Sequence, residues 1–224
     1  MARPRICVVV PATTMVDTMK IMSRLPEPDL VELRLDYATE ALNLHLLRES
    51  TQVPLIATAR LPHHGGRWAK SEGERYALLH SAAKEGFDYV DAEIDSPSLG
   101  ELATKVHAAG VSLIVSHHDL DRAPSLNEIL AMHGEAKGVG ADVVKIIGSA
   151  ACAEDNLPCL EYLGRWPGNV CFNMGLLGVP SRVLSPMIGG LWTYASASEA
   201  GRVAPGQLTI DGLREAYRLM GVYC

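Results

Sequence analysis

Eight short β-branched or apolar runs alternate with helical patterns along the chain, and this alternation restricts the fold more than any other feature of the sequence. The predicted strands are Ile6 to Val10, Leu30 to Leu35, Pro54 to Ala59, Asp88 to Ile94, Val111 to Ser116, Ala141 to Ile147, Asn169 to Asn173 and Gly190 to Ala195. Ser71 with Glu74, and Ser125 with Glu128, fit capping boxes. Pro97 after Ser96 marks a helix start, and Gly86 and Gly110 stand where helices should stop. A last helix is predicted over about Asp211 to Met220. Strands that alternate with helices build parallel βα units. An open doubly wound sheet and a closed (β/α)8 TIM barrel both satisfy that pattern. The count of eight favours the barrel, and 224 residues lie near the lower end of its size range, roughly 200 to 400. The open sheet would favour a glycine-rich dinucleotide loop after the first strand, but Pro11-Ala12-Thr13-Thr14 is unlike one. No stretch reads as a linker, so residues 1–224 are expected to form one barrel domain.

Strand polarity is the second constraint. Strands of a parallel sheet covered on both sides should be apolar on both sides. In Val31-Glu32-Leu33-Arg34-Leu35-Asp36 the charges alternate, which places Glu32, Arg34 and Asp36 on one face. Tyr89, Asp91, Glu93 and Asp95 repeat the pattern, and Arg60 ends the third strand on the side of Ile56 and Thr58. A single E-x-R-x-D pattern usually marks an exposed edge. Three such strands in a sheet with few exposed faces instead suggest a shared polar interior, opening at the carboxyl ends of the strands. Opposite charges packed there offset each other's burial.

Lys145 lies within Ala141-Asp142-Val143-Val144-Lys145-Ile146-Ile147, with Val143 and Ile147 on its face. A buried, desolvated lysine releases its proton more readily, and the free amine attacks carbonyl carbon. A lysine that reaches solvent at a strand end, or pairs with a carboxylate, fits the segment equally well. Two histidine doublets follow strands: His63-His64-Gly65-Gly66 after Arg60, and Ser116-His117-His118-Asp119 after the fifth strand. Extended geometry turns only one of His117 and His118 inward. The doublets suit a general acid/base, or a metal held with Asp119, Asp91 or Glu93, although no H-x-H or H-E-x-x-H spacing occurs. Met174-Gly175 to Ser181-Arg182 and Ala204-Pro205-Gly206-Gln207 follow the seventh and eighth strands. Their glycines suit close backbone approach or plain turns. Arg182 suits a bidentate carboxylate contact or a surface ion pair.

Composition excludes several classes. A net charge of −6 without a basic cluster argues against nucleic acid. No apolar stretch approaches membrane-spanning length, and Ile6-Cys7-Val8-Val9-Val10 behind Arg3 and Arg5 stops at Pro11, too soon for a secretory signal. Five cysteines without a C-x-x-C pair suit reduced thiols in a cytoplasmic protein.

Taken in order, Glu32-Leu33-Arg34-Leu35-Asp36, Arg60 with Gly65-Gly66, Ser116-His117-His118-Asp119, Lys145, Met174-Gly175 to Ser181-Arg182, and Ala204-Pro205-Gly206-Gln207 resemble type I 3-dehydroquinate dehydratase, the Schiff-base enzyme of the shikimate pathway of aromatic amino acid biosynthesis. Each motif is weak alone; their ordered co-occurrence from residue 32 to residue 207 is specific. The resemblance implies a hydro-lyase that needs no cofactor or metal and converts 3-dehydroquinate to 3-dehydroshikimate. It implies that Lys145 forms an iminium with the ring ketone and that His118 is the general acid/base. Glu32, Arg34 and Arg60 would hold ring hydroxyls, Arg182 and Gln207 the carboxylate, and Met174 would pack near the ring. Glu93 and Asp36 would support the site, and a homodimer is implied, for which the apolar tail Leu219 to Cys224 offers a surface. Two departures stand out. His64 occupies the place of an acidic residue that helps orient the catalytic histidine, which leaves Glu93 as the expected support for His118. Val203 precedes Ala204 where a serine is common, so one hydroxyl contact to substrate is expected to be missing. Competing readings are a class I Schiff-base aldolase on the same barrel, a metal-dependent hydrolase or isomerase using the histidine doublets, and a non-catalytic binding barrel.

Overall fold

The computed structural model describes residues 3–222. Its eight strands are β1 (Ile6–Pro11), β2 (Leu30–Arg34), β3 (Leu55–Thr58), β4 (Tyr89–Glu93), β5 (Ser112–His118), β6 (Val143–Ser149), β7 (Val170–Met174) and β8 (Thr193–Ser196). Between and after them run α1 (Met15–Met22), α2 (Leu44–Glu49), α3 (Glu72–Lys84), α4 (Leu99–Ala108), α5 (Leu126–Val139), α6 (Leu157–Arg165), α7 (Val179–Leu184) and α8 (Ile210–Leu219). All strand pairs are parallel, in the order β7-β6-β5-β4-β3-β2-β1-β8. At the seam between β7 and β8, the Leu191 amide donates to the Asn169 carbonyl at 2.8 Å, and the Phe172 and Tyr194 rings lie 6.1 Å apart. The architecture is the expected (β/α)8 barrel.

Local chemistry explains the element boundaries. Both capping boxes form: Ser71 and Glu74 open α3, and Ser125 and Glu128 open α5. Each satisfies amides that the first helical turn leaves without partners. Gly86 and Gly110 adopt left-handed φ values of 82° and 74° just past their helices. The helix starts two residues later than Pro97 predicts: Ser98 is the N-cap of α4, with φ 56°. Strand β2 ends at Arg34, so Asp36 sits in the 3-10 turn Leu35–Tyr37 rather than on the strand face. Arg60 likewise lies two residues beyond the end of β3.

The barrel has two apolar layers. Outward residues such as Val8, Leu33, Ala57, Val90, Val115, Ile146 and Cys171 pack against the helices. Inward residues near the strand starts, among them Cys7, Leu30, Ile56, Ile114, Val143, Val170 and Trp192, fill the base of the interior. On several strands the same inward face turns polar toward the carboxyl end: Leu30 gives way to Glu32, Ile56 to Thr58, Ile114 to Ser116 and Val143 to Lys145. An apolar floor thus closes the interior from below, and the polar half opens upward, where βα loops carry barrel chemistry. Among the described residues no helix is long and apolar enough to cross a membrane. Cys7, Cys152, Cys159 and Cys171 are free thiols. Of the C-terminal tail, Leu219 and Met220 are exposed, while Tyr223 and Cys224 lie outside the described residues.

Candidate active site

Lys145 does not reach solvent. Its residue is 3% exposed, and its ammonium donates to Asp91 Oδ2 at 2.9 Å and to Glu32 Oε1 at 3.3 Å. The Tyr194 ring covers it at 4.2 Å. Both sequence readings of this lysine therefore hold in part: it is buried, and it is paired. The register sets Lys145 beside Ser116 and Ile147 beside His118 on adjacent strands. Alternation then places His118 on the face of Ser116, one repeat nearer the barrel mouth.

Asp91 is the hub of the charge network. Its Oδ2 accepts from Arg60 at 2.8 Å as well as from Lys145, and its Oδ1 accepts from the Ser116 hydroxyl at 2.6 Å. Burial opposes ionisation of this carboxyl, but Arg60 and Lys145 together hold it well below the usual carboxylate range. Arg60 also donates to Glu93 Oε1 at 3.1 Å and to the Ser116 hydroxyl. Burial would lower its pKa, yet Asp91, Glu93 and Glu32 raise it on balance. Glu32 takes a further hydrogen bond from the Thr58 hydroxyl at 2.7 Å. Arg34 grips Asp36 through two nitrogens at 2.8 and 2.7 Å, and Asp36 also accepts the Arg67 amide at 2.9 Å.

Glu93 does not support His118. Its Oε1 accepts from Arg60 and from the Leu61 amide, and its Oε2 accepts from Arg75. Arg75 was invisible in the strand pattern because it comes from α3. It is fully buried and also bonds the Ala59 carbonyl and the Ser96 hydroxyl, so it anchors Glu93 from behind. His118 is half-buried, and its Nδ1 is shielded from solvent without a partner. Burial first, then the positive charges of Arg60 and Lys145, push its pKa well below 6.5 and keep it neutral. His117 faces away, edge-on to His64 at 5.4 Å. His64 is the residue that touches His118: its Nδ1 lies 3.2 Å from both the backbone nitrogen and the backbone oxygen of His118.

A cavity of about 340 Å³ opens over this network. Lys145, His118, Glu32, Arg34 and Arg60 line one side, and Met174, Arg182 and Gln207 line another. Asp36 and Glu93 stand behind it and fix the arginines. Arg182 is 2% exposed, which rules out the surface ion-pair reading. Its Nε and Nη2 have no partner, its Nη1 reaches only the Tyr194 carbonyl at 3.5 Å, and its guanidinium rests 4.3 Å over the Phe172 ring. Desolvation lowers its pKa from 12.5 to about 10. Among the described residues, five buried cations (Arg34, Arg60, Arg75, Lys145, Arg182) face four buried carboxylates (Glu32, Asp36, Asp91, Glu93). Arg182 is the one outside the ion-pair network, and it faces the cavity. The Gln207 Oε1 accepts the Val203 amide at 2.8 Å, which leaves the NH2 end of its side chain to donate. Two glycines make this geometry possible. A Cβ on Gly66 would strike the Arg60 carbonyl, and one on Gly206, at φ 69°, would strike Gly175.

The fold and the site together define a (β/α)8-barrel enzyme with a buried lysine, a neutral imidazole and an unpaired arginine around one cavity. The sequence model of the type I 3-dehydroquinase family matches residues 6–224. The chain is 34% identical over 207 residues to the 3-dehydroquinate dehydratase of Dehalococcoides mccartyi, covering 88% of this chain and 93% of that protein. It is 32% identical over 216 residues to that of Desulfotalea psychrophila, covering 94% and 95%. Among solved structures it is similar to the type I 3-dehydroquinate dehydratase of Clostridium difficile with covalently modified comenic acid. The TM-score is 0.86 at 25% identity, over 98% of this chain and 93% of that one. This chain belongs to the type I 3-dehydroquinase family, and it is a hydro-lyase.

Proposed function

We propose that this enzyme dehydrates 3-dehydroquinate to 3-dehydroshikimate, a step of the shikimate pathway, through a Schiff base on Lys145. One observation supports this above all others. The Lys145 amine, the neutral His118 imidazole and the unpaired Arg182 guanidinium open onto one cavity. Arg182, with the free amide end of Gln207, takes the substrate carboxylate, whose negative charge meets the guanidinium that no protein carboxylate pairs. Glu32, Arg34 and Arg60 then meet the ring hydroxyls. This orients the ketone toward Lys145 Nζ.

The Lys145 ammonium gives a proton to the neutral His118 imidazole, the free amine adds to the ketone carbon, and His118 returns that proton to the carbinolamine hydroxyl, which leaves as water to give the iminium. His118, uncharged before substrate arrives, removes a proton from the adjacent carbon. The electron pair flows into the iminium as an enamine. The protonated imidazole then gives its proton to the departing C1 hydroxyl, which leaves as water while the enamine returns to an iminium. Water releases the product and restores the amine. Burial and the cationic wall keep His118 neutral, which leaves its lone pair free to take the proton.

Borohydride added with 3-dehydroquinate should reduce the iminium to a stable secondary amine, and mass spectrometry should place the adduct on Lys145. Lys145→Ala should neither turn over nor trap. Turnover by that variant at the wild-type rate defeats the covalent route. Trapping with a sugar phosphate but not with 3-dehydroquinate would point to an aldolase.

A further inference from the structure

Strands β3 and β4 end beside each other, and their loops bring together three side chains to which the proposed dehydration assigns no chemical step. His63 and His64 lie in the turn Pro62–His64 after β3, and Asp95 lies in the turn after β4. His63 Nε2 is 2.9 Å from Asp95 Oδ2, and His64 Nε2 is 2.9 Å from Asp95 Oδ1. The two imidazole centroids are 4.4 Å apart, and one ligand atom from each of the three residues falls within 4.8 Å of the others. We propose that His63, His64 and Asp95 form a binding site for a borderline divalent cation of the zinc type, and that the ion sets the tautomer of His64.

Ligand chemistry selects the class of ion. Two imidazoles and one carboxylate suit zinc, cobalt, nickel or copper, whereas magnesium and calcium prefer all-oxygen shells. Tetrahedral zinc with bonds of about 2.0 to 2.2 Å spaces its ligand atoms by about 3.3 Å. The observed 2.9 Å contacts need only a small opening. His64 is the fixed arm, with its side chain 3% exposed, while the side chains of His63 and Asp95 are 59% and 50% exposed and can adjust. That exposure also leaves a coordination position open to water. Elsewhere His45 meets Glu85 and His107 meets Asp142, each an isolated pair too small to hold an ion.

The second coordination shell is already in place. A metal-bound imidazole commonly donates its other N–H to a backbone carbonyl. His64 Nδ1 lies 3.2 Å from the His118 carbonyl oxygen and 3.2 Å from the His118 amide nitrogen. Without metal, Nε2–H donates to Asp95 and Nδ1 accepts from the His118 amide. With metal on Nε2, the proton must sit on Nδ1, and the His118 carbonyl is the acceptor within reach. On the His118 side no heavy atom needs to travel; the proton changes nitrogen and the backbone contact changes partner.

Calorimetric titration of zinc into the tag-free full-length chain tests the site, with circular dichroism confirming that each variant is folded. One saturable site per chain is expected. His63→Ala and Asp95→Asn should each weaken it about tenfold or more, and His107→Ala should leave it unchanged. Long-range proton–nitrogen correlation spectra should show the His64 proton on Nε2 in the free protein and on Nδ1 in the zinc-loaded one. Absence of a saturable site, or equal affinity in the wild type, His63→Ala and Asp95→Asn, overturns the assignment. A His64 tautomer that does not change on loading overturns the switch.

Discussion

Arg182→Met separates a residue that awaits a ligand from one that holds the fold. Most substitutions of a buried arginine destabilise, because they strand its partner. Here no partner is stranded: two of the three guanidinium nitrogens have none, and the third makes one long contact at 3.5 Å. The folded protein carries this cation at a cost. Lowering its pKa from 12.5 to about 10 corresponds to about 3 kcal/mol of destabilisation at neutral pH. The sign follows from proton linkage. Below pH 10 both states hold the proton and the full penalty applies; between about 10 and 12.5 the folded state releases it first, and stability rises. Methionine removes the charge and keeps an unbranched apolar stem against Phe172. Loss of the cation–π contact at 4.3 Å gives back about 1 to 2 kcal/mol. The ligand-free variant should therefore be more stable by about 1 to 2 kcal/mol, and melt roughly 2 to 8 °C higher. Affinity should move the other way. A charge-assisted hydrogen bond contributes about 1.5 to 3 kcal/mol, so KM should rise about ten- to two-hundredfold with kcat less affected. Thermal melts without ligand and initial rates against 3-dehydroquinate measure the two effects. A variant that melts below wild type while its KM is unchanged refutes the reading of Arg182 as the carboxylate anchor.

Other sites give further expectations. Burial and the charges of Arg60 and Lys145 keep His118 neutral below pH 6.5, so the acid limb of kcat/KM should fall below that value rather than at it; a limb at or above 6.5 in rate measurements contradicts this. The same group makes stability fully present above pH 6.5 and lost as pH falls, because the unfolded chain takes the proton first. Asp91→Asn removes the carboxylate shared by Arg60 and Lys145 and should cost about 3 to 5 kcal/mol, read as a shift in the urea midpoint; a shift under about 1 kcal/mol would show that Glu32 and Glu93 suffice. Gly66→Ala pushes the Arg60 backbone aside and should lower kcat/KM about a hundredfold with the barrel intact by circular dichroism.

How much of the site was legible in the sequence depended on whether a residue sat on a strand. Glu32, Arg34, Asp91 and Lys145 obey a period of two, so their shared inward face could be read directly, and the barrel then forced them to converge. The apolar residue two places earlier on the same face marked where the floor ends and the polar chamber begins, as Leu30 does for Glu32 and Val143 for Lys145. Residues from other elements carry no such period. Arg75 enters from α3, where a buried arginine and a solvated one look alike until the helix is docked. The same limit explains Glu93: its face was legible, but its partners were not, and two arginines claim the oxygens that His118 was expected to use.

His64 shows what that limit means for the chemistry. Read as a one-for-one replacement of an acidic residue, it removes a negative charge beside His118, the proposed base. In the folded chain the charge is one residue further out, on Asp95, and reaches His118 through the His64 ring and the His118 backbone. The support therefore acts on the main chain of His118, while Nδ1 of its ring keeps no protein partner. An imidazole held by its backbone and walled by cations is oriented by packing and by the bound substrate more than by a carboxylate. Burial first, and then Arg60 and Lys145, lower its basicity, so in the proposed reaction the cations that meet the substrate also bias the proton transfer.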